Sequence, residues 1–196
     1  KNTDELAQWI YGEELALRVD LKEVFENMPP LTQNRYTIKM DADAALKAKL
    51  KQLETMPMAD IRKQLETKEP ALATVRRELG LAKVKAAAEE IADRIESGQS
   101  VLVGAWHTEV IDALQQKLHA KGYEVGIIDG RVSSAAKQRF QDSWNAGKIN
   151  ALVCQIAAAG VSLNLQHGGT QIIVVEEDWS PSIMDQFYAR LWRYGQ

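Results

Sequence analysis

Between residues 101 and 175 the chain alternates four short runs rich in β-branched residues with stretches of helical period. That alternation restricts the fold more than any other feature. Val101–Ala105, Glu124–Ile128, Ala151–Cys154 and Gln171–Val175 read as strands. Between them Val110, Ile111, Leu114 and Leu118, then Ala136, Phe140 and Trp144, recur at helical spacing. Strands and helices in this order predict an α/β fold, a parallel sheet with right-handed crossovers and helices on its faces. Ligands of such sheets gather beyond the carboxyl ends of the strands. Chemistry is therefore expected in the loops after Ala105, Ile128, Cys154 and Val175.

Up to about residue 98 the pattern is mostly helical. Leu46, Leu50 and Leu53 form one apolar stripe on a helix expected to start near Asp41 or Asp43. Leu72, Val75 and Leu79 form another, resumed after Gly80 by Val84, Ala88, Ile91 and Ile95, with Gly98 as a C-terminal cap. Pro29-Pro30 breaks the first helical region, and Tyr36–Met40 alternates like a short strand. The expected division is a helical extension over 1–69 and an α/β lobe over 70–196.

With 45% hydrophobic residues and a net charge of −3, the chain has ample apolar material for a core and no basic tail. Any nucleic-acid contact is then local, made by a few placed side chains and backbone amides. The single cysteine, Cys154, lies in an apolar run, which excludes a disulfide framework and reads as a buried, inert thiol. His107, His119 and His167 lack metal-ligand spacing. No signal peptide or spanning apolar stretch of about 18 residues is seen, so no membrane partner is expected. A reducing compartment, cytoplasm or nucleoid, is expected instead.

Two segments carry candidate chemistry. On a helix, Gln186, Arg190 and Arg193 fall within a narrow arc, while Ile183, Phe187 and Leu191 lie on another that can pack inward. Two guanidinium groups and an amide suit phosphate oxygens, because guanidinium is permanently charged and bidentate; a solvated face or salt-bridge pair is the plainer reading. After Cys154, the small residues of Gln155-Ile-Ala-Ala-Ala159-Gly160 would let backbone amides approach a ligand, although such turns often serve packing alone. Ile172–Val175 followed by Glu176-Glu177-Asp178 has the outline of a metal-binding strand end. The chain contains no Gly-x-x-x-x-Gly-Lys-Ser/Thr loop, so a solvated strand end is expected there and no metal site.

Taken together, Ser162-Leu163-Asn164-Leu165, Trp179-Ser180-Pro181 and the Gln186, Arg190, Arg193 series before Gly195-Gln196 resemble motifs V and VI of Swi/Snf-type ATPases of helicase superfamily 2. Val101–Ala105 looks like motif IV, and Ile128-Asp129-Gly130-Arg131-Val132-Ser133-Ser134 with Gln138-Arg139-Phe140 looks like the next block. The Asp-Gly-x-x-Ser-Ser stretch leans towards the branch containing the annealing helicases. The resemblance covers about residues 97–196 and is fainter over 16–96.

The resemblance implies a RecA-like C-terminal lobe with a mostly helical N-terminal extension. It makes Arg193 the expected arginine finger, with Arg190 beside it and Gln186 in support; Asn164 stands where relatives carry an acidic residue facing the ribose. Gln155, Ala159, Gly160 and Ser133 would lie near the DNA backbone, Ser133 at a position that could cap the helix that follows, with His107 and Thr108 as further candidates. The chain starts at Lys1 and stops inside motif VI, like an excised piece. ATP and Mg²⁺ would be held mainly by a first lobe outside this sequence, and the partners would be that lobe and double-stranded DNA. The expected function is thus the second motor lobe of a DNA translocase, without ATPase activity alone. The chain departs from the family pattern at Ala159 and Ser162, where glycines are usual, and at Trp192, where histidine is frequent. Alternatives are a non-catalytic DNA- or protein-binding module derived from such a lobe, and an unrelated α/β enzyme for a nucleotide sugar or dinucleotide. The last would want a Gly-x-Gly-x-x-Gly turn, which this sequence lacks.

Overall fold

The computed structural model describes residues 3–8, 30–35, 37, 42–61, 70–159 and 163–192. In order these form α1 (Thr3–Ala7), α2 (Ala44–Glu54), α3 (Pro70–Glu96), β1 (Val101–Ala105), α4 (Thr108–Ala120) and β2 (Val125–Ile128). There follow α5 (Ser134–Asn145), β3 (Ala151–Gln155), the single turn α6 (Ile156–Ala159), β4 (Gln171–Val174) and α7 (Pro181–Tyr188). The four strands fall within one residue of their expected bounds. Most of the short strand expected at Tyr36–Met40 lies outside the described residues, as do Gly160, Ser162 and Arg193.

Helix starts and stops follow local chemistry. Of the two aspartates proposed to open α2, Asp43 does so, its carboxylate accepting from the Leu46 amide at 2.7 Å. Gly80 does not interrupt α3, which runs through it. At its end Gly98 adopts φ +80°, and the amides of Gly98 and Gln99 reach back to Ile95 and Arg94. Lys49 meets Glu78 at 2.8 Å, tying α2 to α3.

The four strands are parallel in the order β2-β3-β1-β4, with Val103 opposite Val153 on one side and Ile173 on the other. Alternation along β1 divides the core. Val101, Val103 and Ala105 face α3 and α4, packing with Val84, Ile91, Val110, Ile111, Leu114 and Leu118. Leu102 faces the opposite layer, with Trp144 of α5, Leu163, Leu165, and Met184 and Phe187 of α7. Gly104 belongs to that second face: a Cβ there would lie 2.8 Å from the Phe187 ring, so the missing side chain makes room for the phenyl group. Connections leaving β1 and β3 thus run to opposite faces, and these strands are neighbours. Their carboxyl ends define a topological switch point, where such sheets open a crevice.

Candidate nucleotide and nucleic-acid site

At that switch point one side chain spans three strand ends. Gln155, the last residue of β3, donates from Nε2 to the Trp106 carbonyl after β1 at 3.2 Å. Its Oε1 accepts from the Gly130 amide after β2 at 3.3 Å. Sequence reasoning placed Gln155 near the DNA backbone; in the structure its amide has internal partners on both sides, which fixes its place in the crest. Ile156–Ala159 after it form a single helical turn.

Glu176 is a correction. A solvated strand end was expected, yet the residue is 4% exposed. Its Oε2 accepts from the amides of Trp106 at 2.9 Å and His107 at 3.0 Å, and its Oε1 lies 2.7 Å from His107 Nδ1. Burial is tolerable because each oxygen has a donor. Room for the carboxylate comes from Gly80 on α3, where a Cβ would lie 2.4 Å from Oε1. His107, expected on the DNA surface, is thereby held by its ring, its side chain 17% exposed. Thr108 opens α4 beside it, its hydroxyl directed at Glu109.

A second set of contacts, which no sequence signal revealed, covers this corner. The Arg76 guanidinium of α3 lies 4.8 Å from the Trp106 ring centre and 5.4 Å from that of Trp179, and it donates to the Glu177 carbonyl. Burial lowers its pKa, while Glu176 and Asp178 act to raise it. Trp179 remains 65% exposed, an indole at the crest braced by a cation. The partners come from distant parts of the chain, so only the folded packing brings them together.

After β2, Ser133 caps α5 as expected, its hydroxyl accepting from the Ala136 amide at 3.3 Å. The preceding turn is braced by Arg131, which binds the buried Asp129 at 2.6 Å and Asp112 of α4 at 2.7 Å. The same guanidinium holds the Asp112 carboxyl below its usual pKa, and the two carboxylates raise that of Arg131.

On the opposite layer, Asn164 and Arg190 are brought to adjoining places. The Leu165 amide donates to the Arg190 carbonyl at 3.1 Å. Regular helix ends at Tyr188; beyond it the Arg190 and Leu191 amides make i→i+3 bonds to Phe187 and Tyr188, while the Trp192 amide keeps an i→i+4 bond to Tyr188. Gln186 thus lies within α7, and Arg190 just beyond its regular end. Gln186 is exposed on α7, whereas Arg190 is half-buried with its Nε enclosed. Phe187 and Leu191 do pack inward, as their spacing implied.

No group of three or more His, Cys, Asp or Glu side chains among the described residues is arranged to hold a metal ion, and no described helix is long and apolar enough to cross a membrane. Residues 82–195 match the family profile of the helicase conserved C-terminal domain. The chain is 30% identical over 103 residues to the DNA repair protein rhp54 of Schizosaccharomyces pombe, covering 52% of this chain and 12% of that protein. It spans about an eighth of the length of such curated relatives. The fold is similar to the C-terminal part of the Fun30 ATPase domain, with a TM-score of 0.54 and 23% identity over 59% of this chain and 37% of that one. It is also similar to the Sulfolobus solfataricus SWI2/SNF2 ATPase C-terminal domain, with a TM-score of 0.54 and 14% identity over 71% of this chain and 68% of that one. With more than half its length matched to that profile, the chain belongs to the helicase conserved C-terminal domain family.

Proposed function

We propose that this lobe is the second half of an ATP-dependent motor that moves on double-stranded DNA. The observation that carries the reading is the bond between Leu165 and Arg190. It joins the segment bearing Asn164 to the one bearing Arg190, the two segments the family resemblance assigns to the nucleotide. In this reading Arg190 and Arg193 stabilise charge on the phosphoryl group in transit, with Gln186 in support and Asn164 towards the ribose. The nucleotide itself is held by a first lobe with a phosphate loop, which these 196 residues lack. Arginine fingers contribute about 10³–10⁵ to turnover in related phosphoryl transfers, or ~4–7 kcal/mol of barrier.

Mg²⁺, when bound, would neutralise phosphate charge. The acidic strand end does not fit it as a ligand set, because the Glu176 carboxylate is already engaged by two amides and His107. No step is assigned to the metal in this lobe. The crest formed by Gln155, His107, Thr108, Ser133 and Ala159 faces the DNA backbone in this scheme, with Gly160 given the same role, and exposed Trp179 with Arg76 extends that surface. Contacts to phosphate carry no base identity, so sequence preference is slight. Such a protein works where reduced thiols and DNA coexist, in cytoplasm or nucleoid.

The test is made in the full-length protein. Arg193→Ala and Arg190→Ala are expected to lower DNA-stimulated ATP turnover by at least about 10³-fold and tens-fold respectively, with ATP affinity nearly unchanged. The isolated 196-residue chain is expected to hydrolyse no ATP. Turnover by that chain above an Arg193→Ala control, or a loss of ATP affinity in place of turnover, refutes the division of labour. A DNA- or protein-docking module without motor activity is the second reading; a phosphate loop in the full-length sequence decides against it.

A further inference from the structure

The main chain of Asn164 and Leu165 runs beside α5 with each of its four polar groups satisfied by a named partner. Gln141 Oε1 accepts from the Asn164 amide at 2.9 Å, and Asn145 Nδ2 donates to the Asn164 carbonyl at 2.8 Å. Trp144 Nε1 donates to the Leu165 carbonyl at 2.8 Å, and the Leu165 amide donates to Arg190. Residues 141 and 145 are one helical turn apart, so α5 presents an acceptor and a donor to one residue's backbone as a neighbouring strand would. The ring of Trp144 is fully buried between them. Gly168 is shaped to it: a Cβ there would lie 2.2 Å from the indole and 2.5 Å from the Trp144 carbonyl.

Beyond Tyr188 regular helix ends, and the Arg190 main chain is held by its own amide's bond to the Phe187 carbonyl at 3.1 Å and by the group its carbonyl meets. That group is the Leu165 amide, and Leu165 is in turn held by α5. Leu165 and Leu191, one on each side of the bond, are buried in the same cluster as Trp144. We propose that Gln141, Trp144 and Asn145 are positioning residues for the reaction: α5 sets the main chain of Asn164–Leu165, and that segment sets Arg190. The inference rests on the role given to Arg190 above.

The bonds have opposite polarity, and this separates positioning from bulk or charge. Gln141→Glu keeps an acceptor for the Asn164 amide, whereas Asn145→Asp puts an acceptor against the Asn164 carbonyl. Both changes are nearly isosteric and both add one negative charge. In the full-length protein with saturating DNA, Asn145→Asp and Gln141→Leu are expected to lower turnover about tenfold with KM for ATP within about twofold. Gln141→Glu is expected to stay within about twofold of the parent. In the whole 196-residue chain, hydrogen exchange of the Asn164 amide is expected to quicken about tenfold in Gln141→Leu and not in Gln141→Glu. Equal losses in Gln141→Glu and Gln141→Leu, or unchanged turnover in both Asn145→Asp and Gln141→Leu, overturn the proposal. Should Asn145→Asp fail to fold, the two Gln141 variants decide. Arg190→Ala separates the two layers of inference. If it leaves turnover intact, the role of Arg190 fails. If it alone impairs turnover while the α5 variants do not, the positioning fails.

Discussion

Gly80→Ala inverts a familiar rule and so tests the architecture of the crest. In a solvated helix the change favours folding by about 1 kcal/mol, because alanine loses less backbone entropy. Here the new Cβ would lie 2.4 Å from Glu176 Oε1, 2.7 Å from its Cδ and 2.8 Å from Val110 Cγ2. The valine is fully buried on α4 and has nowhere to retreat. Ordinary contact requires the carboxylate to withdraw by roughly 1 Å, well beyond the slack in the 2.7 Å contact to His107 Nδ1. Losing one or two bonds to this carboxylate costs about 1.5–3 kcal/mol each, and overpacking against Val110 adds about 1–3. Set against the helical gain of about 1 kcal/mol, a net destabilisation of roughly 1.5–8 kcal/mol is expected, the lower part of that range if one bond is lost and the upper part if two are. Urea unfolding followed by circular dichroism measures it, with an unchanged m-value as the sign that the native state alone has shifted. Glu176→Ala supplies the second arm of a double-mutant cycle. In that background the cost of Gly80→Ala is expected to shrink by at least about 1 kcal/mol, since one of the two obstacles is gone. Stabilisation by Gly80→Ala in the parent would refute the reasoning, because it would mean that the carboxylate does not rest against α3.

Other expectations follow from the same packing. Gly168→Ala is expected to destabilise by about 1–3 kcal/mol in the same unfolding assay, because its Cβ would meet the Trp144 ring and backbone. Arg131→Gln tests a surface brace through pH. The guanidinium depresses the Asp112 pKa, so that part of the stability is present above the carboxyl's unfolded value near 4 and disappears as pH falls through the lower folded value. Both side chains are about half exposed, so screening limits the Asp112 share to roughly 0–1 kcal/mol. The difference between parent and variant is therefore expected to be widest at neutral pH and to narrow below about pH 4; a gap that widens on acidification contradicts the pairing. Cys154 is fully buried and its thiol pKa is pushed up by desolvation, so an aromatic disulfide reagent at pH 8 is expected to react only as fast as the protein unfolds. Prompt reaction with the folded chain would contradict its place between the sheet and α5.

The lobe's class was legible in the order of residues because its determinants are local and periodic. Runs such as Val101–Ala105 need only alternate sides to be strands, and the crossover helices announce themselves by apolar spacing. Asp43, Gly98 and Ser133 were readable as caps because capping acts over three or four residues. Motif order along the final hundred residues pointed to a helicase C-terminal lobe, the family that the profile match then showed. Glu176 was misread because its burial depends on a glycine 96 positions earlier and on amides after another strand, which no local pattern encodes. The Arg76 stack, the Gln155 bridge and the tie between α5 and Asn164 were hidden for the same reason. The end of α7 at Tyr188, four residues ahead of Trp192, was likewise not legible, because it depends on how the following chain is held rather than on local spacing. Local spacing thus determined the elements and their order. Which polar groups meet across them was decided only when buried donors and acceptors far apart in sequence had to satisfy one another away from water.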